Sequence, residues 1–187
     1  MLYTQSSETF KAERLSLNEY RIYAPSGCVQ SEIQLHKRIF TADQAPLTPL
    51  LQSLRLADAP SVKVDGQPYR FFKTLLTDKF FANHFDLGLQ AGQDEPAITA
   101  RFGGKGWATL INHEGLEYTL KPTSWFGFAF ELRRGAVEVA RFKDVSPFLT
   151  FSSRRRYQLD APAGPLPPLL LAFAFLLAVS STYRMGL

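Results

Sequence analysis

The chain has 187 residues, of which 45% are hydrophobic and 20% charged, and this composition argues against an intrinsically disordered protein. Its formal net charge of +4 permits contact with anionic membranes or nucleic acid but requires neither. The single cysteine, Cys28, excludes an intrachain disulfide and a cysteine-based zinc site, and it suits a reducing cytoplasm.

The residues before Pro162 are predicted to form short strands. The N-terminal stretch MLYTQSSETFKAERLS has no apolar segment of signal-peptide length and no basic start, so we do not expect secretion by that route. Sixteen Phe and seven Tyr favour strands around an aromatic core. About twelve strands are predicted, near 8–15, 19–24, 30–40, 61–65, 69–76, 79–90, 97–102, 107–112, 116–121, 126–133, 136–143 and 149–159.

Two segments interrupt the strand pattern. Residues 43–57 contain two prolines followed by leucines at helical spacing, which predicts a loop with a short surface helix. Residues 89–97 are predicted to be a polar loop. The glycine-rich stretch RFGGKGWATL, 101–110, has no Ser or Thr after its lysine and leads into a strand, so we interpret it as a turn between strands rather than a phosphate-binding loop.

The clearest alternation lies in the second half of the chain. In GLEYTLKP, Leu116, Tyr118 and Leu120 share one face, as expected for a half-buried strand. In WFGFAFELRR, the residues predicted to point inward are Phe126, Phe128, Phe130 and Leu132. Tight turns are predicted at 113–115 and near 134–135, each with a glycine. These segments therefore indicate antiparallel hairpins.

The stretch GPLPPLLLAFAFLLAVSSTYRM predicts a helix over about 167–183, beginning at Pro167 or Pro168. Sixteen helical residues span roughly 24 Å, whereas a bilayer core is about 30 Å thick. The helix is apolar all round, which is typical of a helix inside a large core or in lipid. A closed sheet wider than about eight strands needs something to fill its lumen. The sequence therefore predicts one mainly β domain over 1–187, a closed antiparallel barrel around a buried C-terminal helix.

Three features together resemble the tubby C-terminal-like superfamily: the alternating strand pattern of 107–143, the segment SSRRRYQLDAP, and the apolar helix that follows it. That group includes tubby proteins, phospholipid scramblases and LURP-one-related proteins. The resemblance implies a barrel wrapped around a central C-terminal helix. It also implies binding of phosphoinositide head groups, as in tubby-like domains, or a link to lipid movement and calcium, as in scramblases. The sequence contains no loop of the EF-hand type that would support calcium dependence.

Seven basic residues on three consecutive predicted strands form the candidate ligand-binding cluster: Arg133, Arg134, Arg141, Lys143, Arg154, Arg155 and Arg156. On neighbouring strands, several of them would form a patch for an anionic lipid head group. The alternative is a solvated barrel exterior, because Glu131, Glu138 and Asp144 are interspersed with the cations.

Catalytic signals are weak. The three histidines, His36, His84 and His113, have no metal-ligand spacing, and each is interpreted as a surface or turn residue. No metal or cofactor site is predicted, and no nucleic-acid-binding signature is present.

We therefore expect a non-enzymatic lipid- or anion-binding module, cytoplasmic and near the membrane surface, with anionic phospholipid head groups as ligands. Two alternatives stay open: a tail-anchored scramblase-like protein, and a small-molecule enzyme that uses His113 or His84.

Overall fold

The computed structural model describes residues 7–16, 18–35, 61–76, 84–91, 96–102, 108–124, 128–146 and 155–184. Within these ranges the chain forms strands and one helix. The strands are β1 Glu8–Ser16, β2 Glu19–Tyr23, β3 Val29–Gln34, β4 Ser61–Val64, β5 Gln67–Leu76, β6 His84–Gln90, β7 Ile98–Phe102, β8 Thr109–His113, β9 Leu116–Pro122, β10 Ala129–Arg134, β11 Val137–Asp144 and β12 Arg156–Ala161. The helix, called the central helix below, is Pro168–Arg184.

These strands form a closed antiparallel barrel. Each strand pairs with its neighbours in sequence, and β1 pairs with β12 to close the sheet. In the closing pair, Glu8 lies opposite Ala161 and Glu13 lies opposite Arg156. The predicted architecture, a closed barrel around a C-terminal helix, is confirmed.

The barrel has two different ends. Because successive strands are antiparallel, their connections alternate between the ends. We call one end the turn end. Its connections between strands are 24–28, 65–66, 91–97, 114–115 and 135–136, and residues 162–167 lead from it into the central helix. The other end is the loop end, where the connections are 17–18, 35–60, 77–83, 103–108, 123–128 and 145–155.

Two of the hairpins at the turn end have turns with two successive residues of positive φ. Asp65-Gly66 has φ of 47° and 83°, and Glu114-Gly115 has φ of 52° and 75°. Two successive residues with positive φ are typical of type I′ turns, whose twist matches that of the flanking strands. Glycine at the second position adopts this conformation without the steric cost of a Cβ. The turn predicted at 113–115 is thereby confirmed, and the turn predicted near 134–135 lies one residue later, at 135–136.

The central helix fills the lumen. Every residue from Leu169 to Ser180 is buried. Leu171 N donates a hydrogen bond to Pro167 O at 3.1 Å, so Pro167 caps the helix and Pro168 is its first residue. Because all sides of the helix contact the inner wall, its apolar surface needs no polar stripe.

Aromatic side chains from several strands surround Phe175 on the central helix. Its ring centroid lies 5.3 Å from Tyr157, 5.8 Å from Tyr20 and 5.9 Å from Phe128 in edge-to-face arrangements. Phe142 adds a tilted contact at 6.4 Å. These rings come from β12, β2, β11 and the connection before β10. These strands belong to one continuous run of neighbours, so Phe175 packs the helix against one side of the barrel.

The predicted strands correspond to the observed ones, with shifted boundaries. Asp65 belongs to a turn rather than to β4, and the polar loop begins after Gln90, since Leu89 is fully buried in β6. Phe128, Phe130 and Leu132 point into the lumen as predicted. The predicted helix at 43–57 and the strand extensions 36–40, 79–83 and 149–154 lie outside the described residues, as does Phe126.

One prediction of which side chains face the lumen is wrong. Tyr118 and Leu120 are buried, but Leu116, predicted on the same face, is 44% exposed. Leu116 is the first residue of β9, directly after the Gly115 turn. At the barrel rim, alternation no longer guarantees burial, because the wall ends there.

Candidate anion-binding surface

Six of the seven basic residues of the predicted cluster are described, and the structure separates them. Strands β10, β11 and β12 are neighbours, as the patch requires. Arg133 and Arg134, however, are the last residues of β10 and lie at the turn end. Ala129, the partner of Lys143, is five residues away from Arg134 along β10, which corresponds to about 16 Å. Arg133 and Arg134 are therefore not part of the same patch as Lys143.

Three of the predicted residues lie on neighbouring strand ends at the loop end. Lys143 is next to last in β11, Arg156 is first in β12, and Arg155 precedes it in the connection. Asp144 pairs with Tyr157, so the end of β11 and the start of β12 are side by side. We call Lys143, Arg155 and Arg156 the loop-end cations. Arg154 lies outside the described residues.

Each loop-end cation has a carboxylate nearby, but the contacts are long. Lys143 Nζ lies 3.8 Å from Asp160 Oδ2, and Arg156 Nε lies 3.9 Å from Glu13 Oε1. The Arg155 guanidinium lies 3.5 Å from Asp144 Oδ2, at the limit of a hydrogen bond. The side chains of Lys143, Arg155 and Arg156 are 44%, 42% and 72% exposed. Exposed ion pairs of this kind contribute about 0–1 kcal/mol, so an incoming anion could replace the carboxylates at little cost.

The outer surface of the barrel is charged in an alternating pattern from strand to strand, and the outermost members of the bands, Lys121, Arg156, Asp160 and Lys63, are also strand-end residues. One band crosses β9 to β12 through Lys121, Glu131, Arg141 and Asp160, which are successive cross-strand partners. A second band crosses β12, β1, β2, β3 and β4 through Arg156, Glu13, Arg21, Glu32 and Lys63. Opposite charges on facing positions stabilise a sheet surface, and they also cancel one another's field at a distance.

Arg141 belongs to this compensated wall. Its guanidinium donates a hydrogen bond to Glu138 at 2.8 Å, and the same carboxylate raises the pKa of Arg141 above its ordinary value. Arg21 is held in a similar way by Glu32 at 3.1 Å. Arg133 lies 3.6 Å from Glu131. Short charge-assisted contacts hold Arg141 and Arg21 more firmly than the long contacts hold the loop-end cations.

The two ends of the barrel have opposite net charge. We count described side chains in the connections and in the last two residues of each strand at either end. The loop end has five cations and two acidic residues, a net charge of +3, from Arg101, Lys121, Lys143, Arg155, Arg156, Glu19 and Asp144. The turn end has three cations and six acidic residues, a net charge of −3, from Lys63, Arg133, Arg134, Glu8, Asp65, Glu114, Glu117, Glu138 and Asp160. Lys143 and Asp160 are counted at opposite ends although their side chains are 3.8 Å apart, and without this pair the net charges are +2 at the loop end and −2 at the turn end.

Sequence reasoning missed this division between the ends. The signal was present in the alternation of strand direction, which sends the end of β10 and the end of β11 to opposite ends of the barrel. It also missed Lys121, which lies at the end of β9 on the loop-end rim. Cations that are close in sequence were therefore assigned to one patch, although the hairpin between β10 and β11 places them at opposite ends of the barrel.

The histidines do not form a site with one another in the described structure. His113, predicted to be a surface or turn residue, is the last residue of β8, directly before the 114–115 turn, and its side chain is buried. Its Nδ1 lies 3.3 Å from Ala97 O, which holds the ring against the start of β7. His84 begins β6, and His36 lies outside the described residues. Within the described residues, no three His, Cys, Asp or Glu side chains are grouped so as to hold a metal ion.

Among the described residues, no helix combines the length and the apolarity needed to cross a membrane. No protein-family model, curated protein or solved structure matches this chain.

Proposed function

We propose that this protein is a non-enzymatic barrel module that binds anionic phospholipid head groups near the cytoplasmic surface of a membrane. The observation that carries the proposal is the group of loop-end cations. Lys143, Arg155 and Arg156 are exposed, lie on adjacent strand ends, and are held by carboxylates only at 3.5–3.9 Å.

The chemistry of these side chains suits phosphate. Two guanidinium groups each offer a planar fork that can donate two hydrogen bonds to phosphate oxygens, and Lys143 adds a compact positive charge. A phosphate that approached Arg155 and Arg156 would replace contacts of 3.5 and 3.9 Å with shorter charge-assisted hydrogen bonds. The gain in hydrogen-bond quality favours an anionic ligand over the existing intramolecular pairs.

The resemblance to the tubby C-terminal-like superfamily supports the same proposal. A closed barrel around a central C-terminal helix is the architecture which that resemblance implied, and lipid head groups are the ligands associated with tubby-like domains. A module of LURP-one-related or scramblase-like type is therefore the proposed assignment. The basic residues proposed as ligands are narrowed from seven to the loop-end cations.

Vesicle binding tests the proposal. We expect the purified full chain to cosediment with phosphatidylcholine vesicles that contain phosphatidylserine and to stay in solution with phosphatidylcholine alone. Each cation near an anionic surface contributes about 1 kcal/mol, so the triple variant K143Q/R155Q/R156Q should bind about 100-fold more weakly.

The matched control removes the same charge elsewhere. Lys63, Arg70 and Arg134 are exposed cations away from the loop end. The variant K63Q/R70Q/R134Q should bind within about twofold of the wild type, because screening weakens charges beyond about 8 Å. Equal binding by the two triple variants, or equal binding of the wild type to both kinds of vesicle, would contradict the proposal.

A further inference from the structure

The difference in net charge between the two barrel ends bears on how the barrel is oriented at a membrane. Resting on the proposed function, we infer that the barrel meets an anionic membrane end-on, with the loop end against the head groups and the turn end pointing away. The wall of the barrel is then perpendicular to the membrane surface rather than lying on it.

The first argument is the separation of the two charged ends. The loop end has a net charge of +3 and the turn end −3 among the described residues. From Arg156 to Ala161, the five residue steps of β12 cover about 16 Å along the strand, which is about twice the screening length of about 8 Å at physiological salt. Apart from the pair formed by Lys143 and Asp160, most charges of the two ends are therefore screened from one another, and an anionic membrane attracts one end and repels the other.

The second argument excludes docking through the wall. The two bands on the wall alternate in sign from strand to strand, and their members are each other's cross-strand partners. A flat anionic surface laid against such a band meets attractive and repulsive side chains in turn. Docking through the wall therefore gains less electrostatic attraction than docking through the loop end does.

Four large apolar side chains are exposed among the described residues, and one of them is at the loop end. Val145, 46% exposed, is at the loop end, and its N donates a hydrogen bond to Arg156 O at 2.9 Å. An apolar side chain flanked by cations can enter the head-group region. The other three, Val29, Leu116 and Val137, are exposed at the turn end, so exposed apolar side chains do not by themselves favour either end.

Single-cysteine labelling tests the orientation. The only cysteine, Cys28, is exposed and lies in the 24–28 connection at the turn end. A polarity-sensitive fluorophore on Cys28 reports the turn end, and the same fluorophore on the C28S/V145C variant reports the loop end. The vesicles contain phosphatidylserine and a lipid-borne quencher. We expect quenching and a blue shift for the label on V145C, and no change for the label on Cys28.

A charge-matched pair of double variants provides an independent measurement on the same vesicles. R155Q/R156Q should weaken binding about 25-fold, whereas R133Q/R134Q, which removes the same charge at the turn end, should change it by less than about twofold. Circular dichroism of all variants checks that the barrel remains folded.

The outcomes separate this inference from the function on which it rests. If the wild type does not bind anionic vesicles, the proposed function is wrong and the orientation is overturned with it. If the wild type binds but both labels respond equally, or the label on Cys28 responds more strongly, only the end-on orientation is overturned. Equal losses for the two double variants would overturn it as well.

Discussion

Phe175 is the residue of the central helix on which aromatic side chains from one side of the barrel converge. It contacts Tyr20, Phe128, Phe142 and Tyr157, with centroid distances from 5.3 to 6.4 Å, and it is fully buried. Edge-to-face aromatic pairs contribute about 0.5–1.5 kcal/mol beyond the burial of their area. Phe175 therefore couples the central helix to several strands at once.

The F175A variant should lower the free energy of unfolding by about 3–5 kcal/mol, since it removes a buried ring and leaves a cavity that the surrounding wall cannot close. Urea denaturation followed by circular dichroism measures the loss. V137A, at a position that is more than half exposed, is the control and should change the free energy by less than about 0.5 kcal/mol. An equal loss of unfolding free energy in F175A and V137A would show that the contacts of Phe175 do not stabilise the barrel.

At the scale of the element, the central helix and the strands depend on one another. The inner wall presents buried apolar side chains from β1 to β12, and residues 169–180 cover them. A closed sheet of this width cannot fill its lumen with its own side chains. The helix therefore acts as core for the barrel, while the barrel excludes water from a helix that has no polar face.

Deleting residues 165–187 should abolish folding, because the exposed lumen would be apolar on all sides. Far-UV circular dichroism and thermal melting measure the result, with the chain ending at Arg184 as the control that keeps the whole helix. A truncated protein with unchanged strand content and an unchanged melting curve would refute the buried-helix arrangement.

At the scale of the whole molecule, closure joins the two halves of the sequence. Phe10 pairs with Leu159, and the pairing between β1 and β12 completes the hydrogen-bonded ring. The lumen is one continuous hydrophobic cluster shared by strands and helix. No described element has a core of its own, so partial unfolding would expose the interior of the entire barrel.

We therefore expect a single cooperative unfolding transition for the full chain. Far-UV circular dichroism reports strands and helix, and near-UV circular dichroism reports the aromatic cluster around Phe175. The two curves should coincide in midpoint and slope. Separate transitions would show that the chain contains two units that unfold independently.

Much of the fold was predictable from the sequence because its signals are local. Alternation in 129–134 and 116–122 assigns inward and outward faces to single residues, and glycine at 66 and 115 marks tight turns. The apolar helix was equally evident. Its length and its lack of a polar face left lipid and lumen open as surroundings, since both present the same apolar contact.

The candidate site was only partly predictable, because its members depend on strand direction and register. Arg133 and Arg134 are near Lys143 in sequence, yet the hairpin places them at the other end of the barrel. The difference between a contact of 2.8 Å at Arg141 and contacts of 3.5–3.9 Å at the loop-end cations is a property of packed side chains. No pattern of residue types encodes those distances.

The sequence by itself determined the strands, their inward faces and a helix that must be shielded from water, because alternation and apolarity act through neighbouring residues. The sequence also predicted that the helix lies inside a closed barrel. The tertiary structure alone decided two further things: that β1 is the strand that pairs with β12, and that positive charge is concentrated at the loop end among the described residues. Each depends on contacts between residues far apart in the chain, where strand direction and closure, rather than local pattern, set which side chains meet.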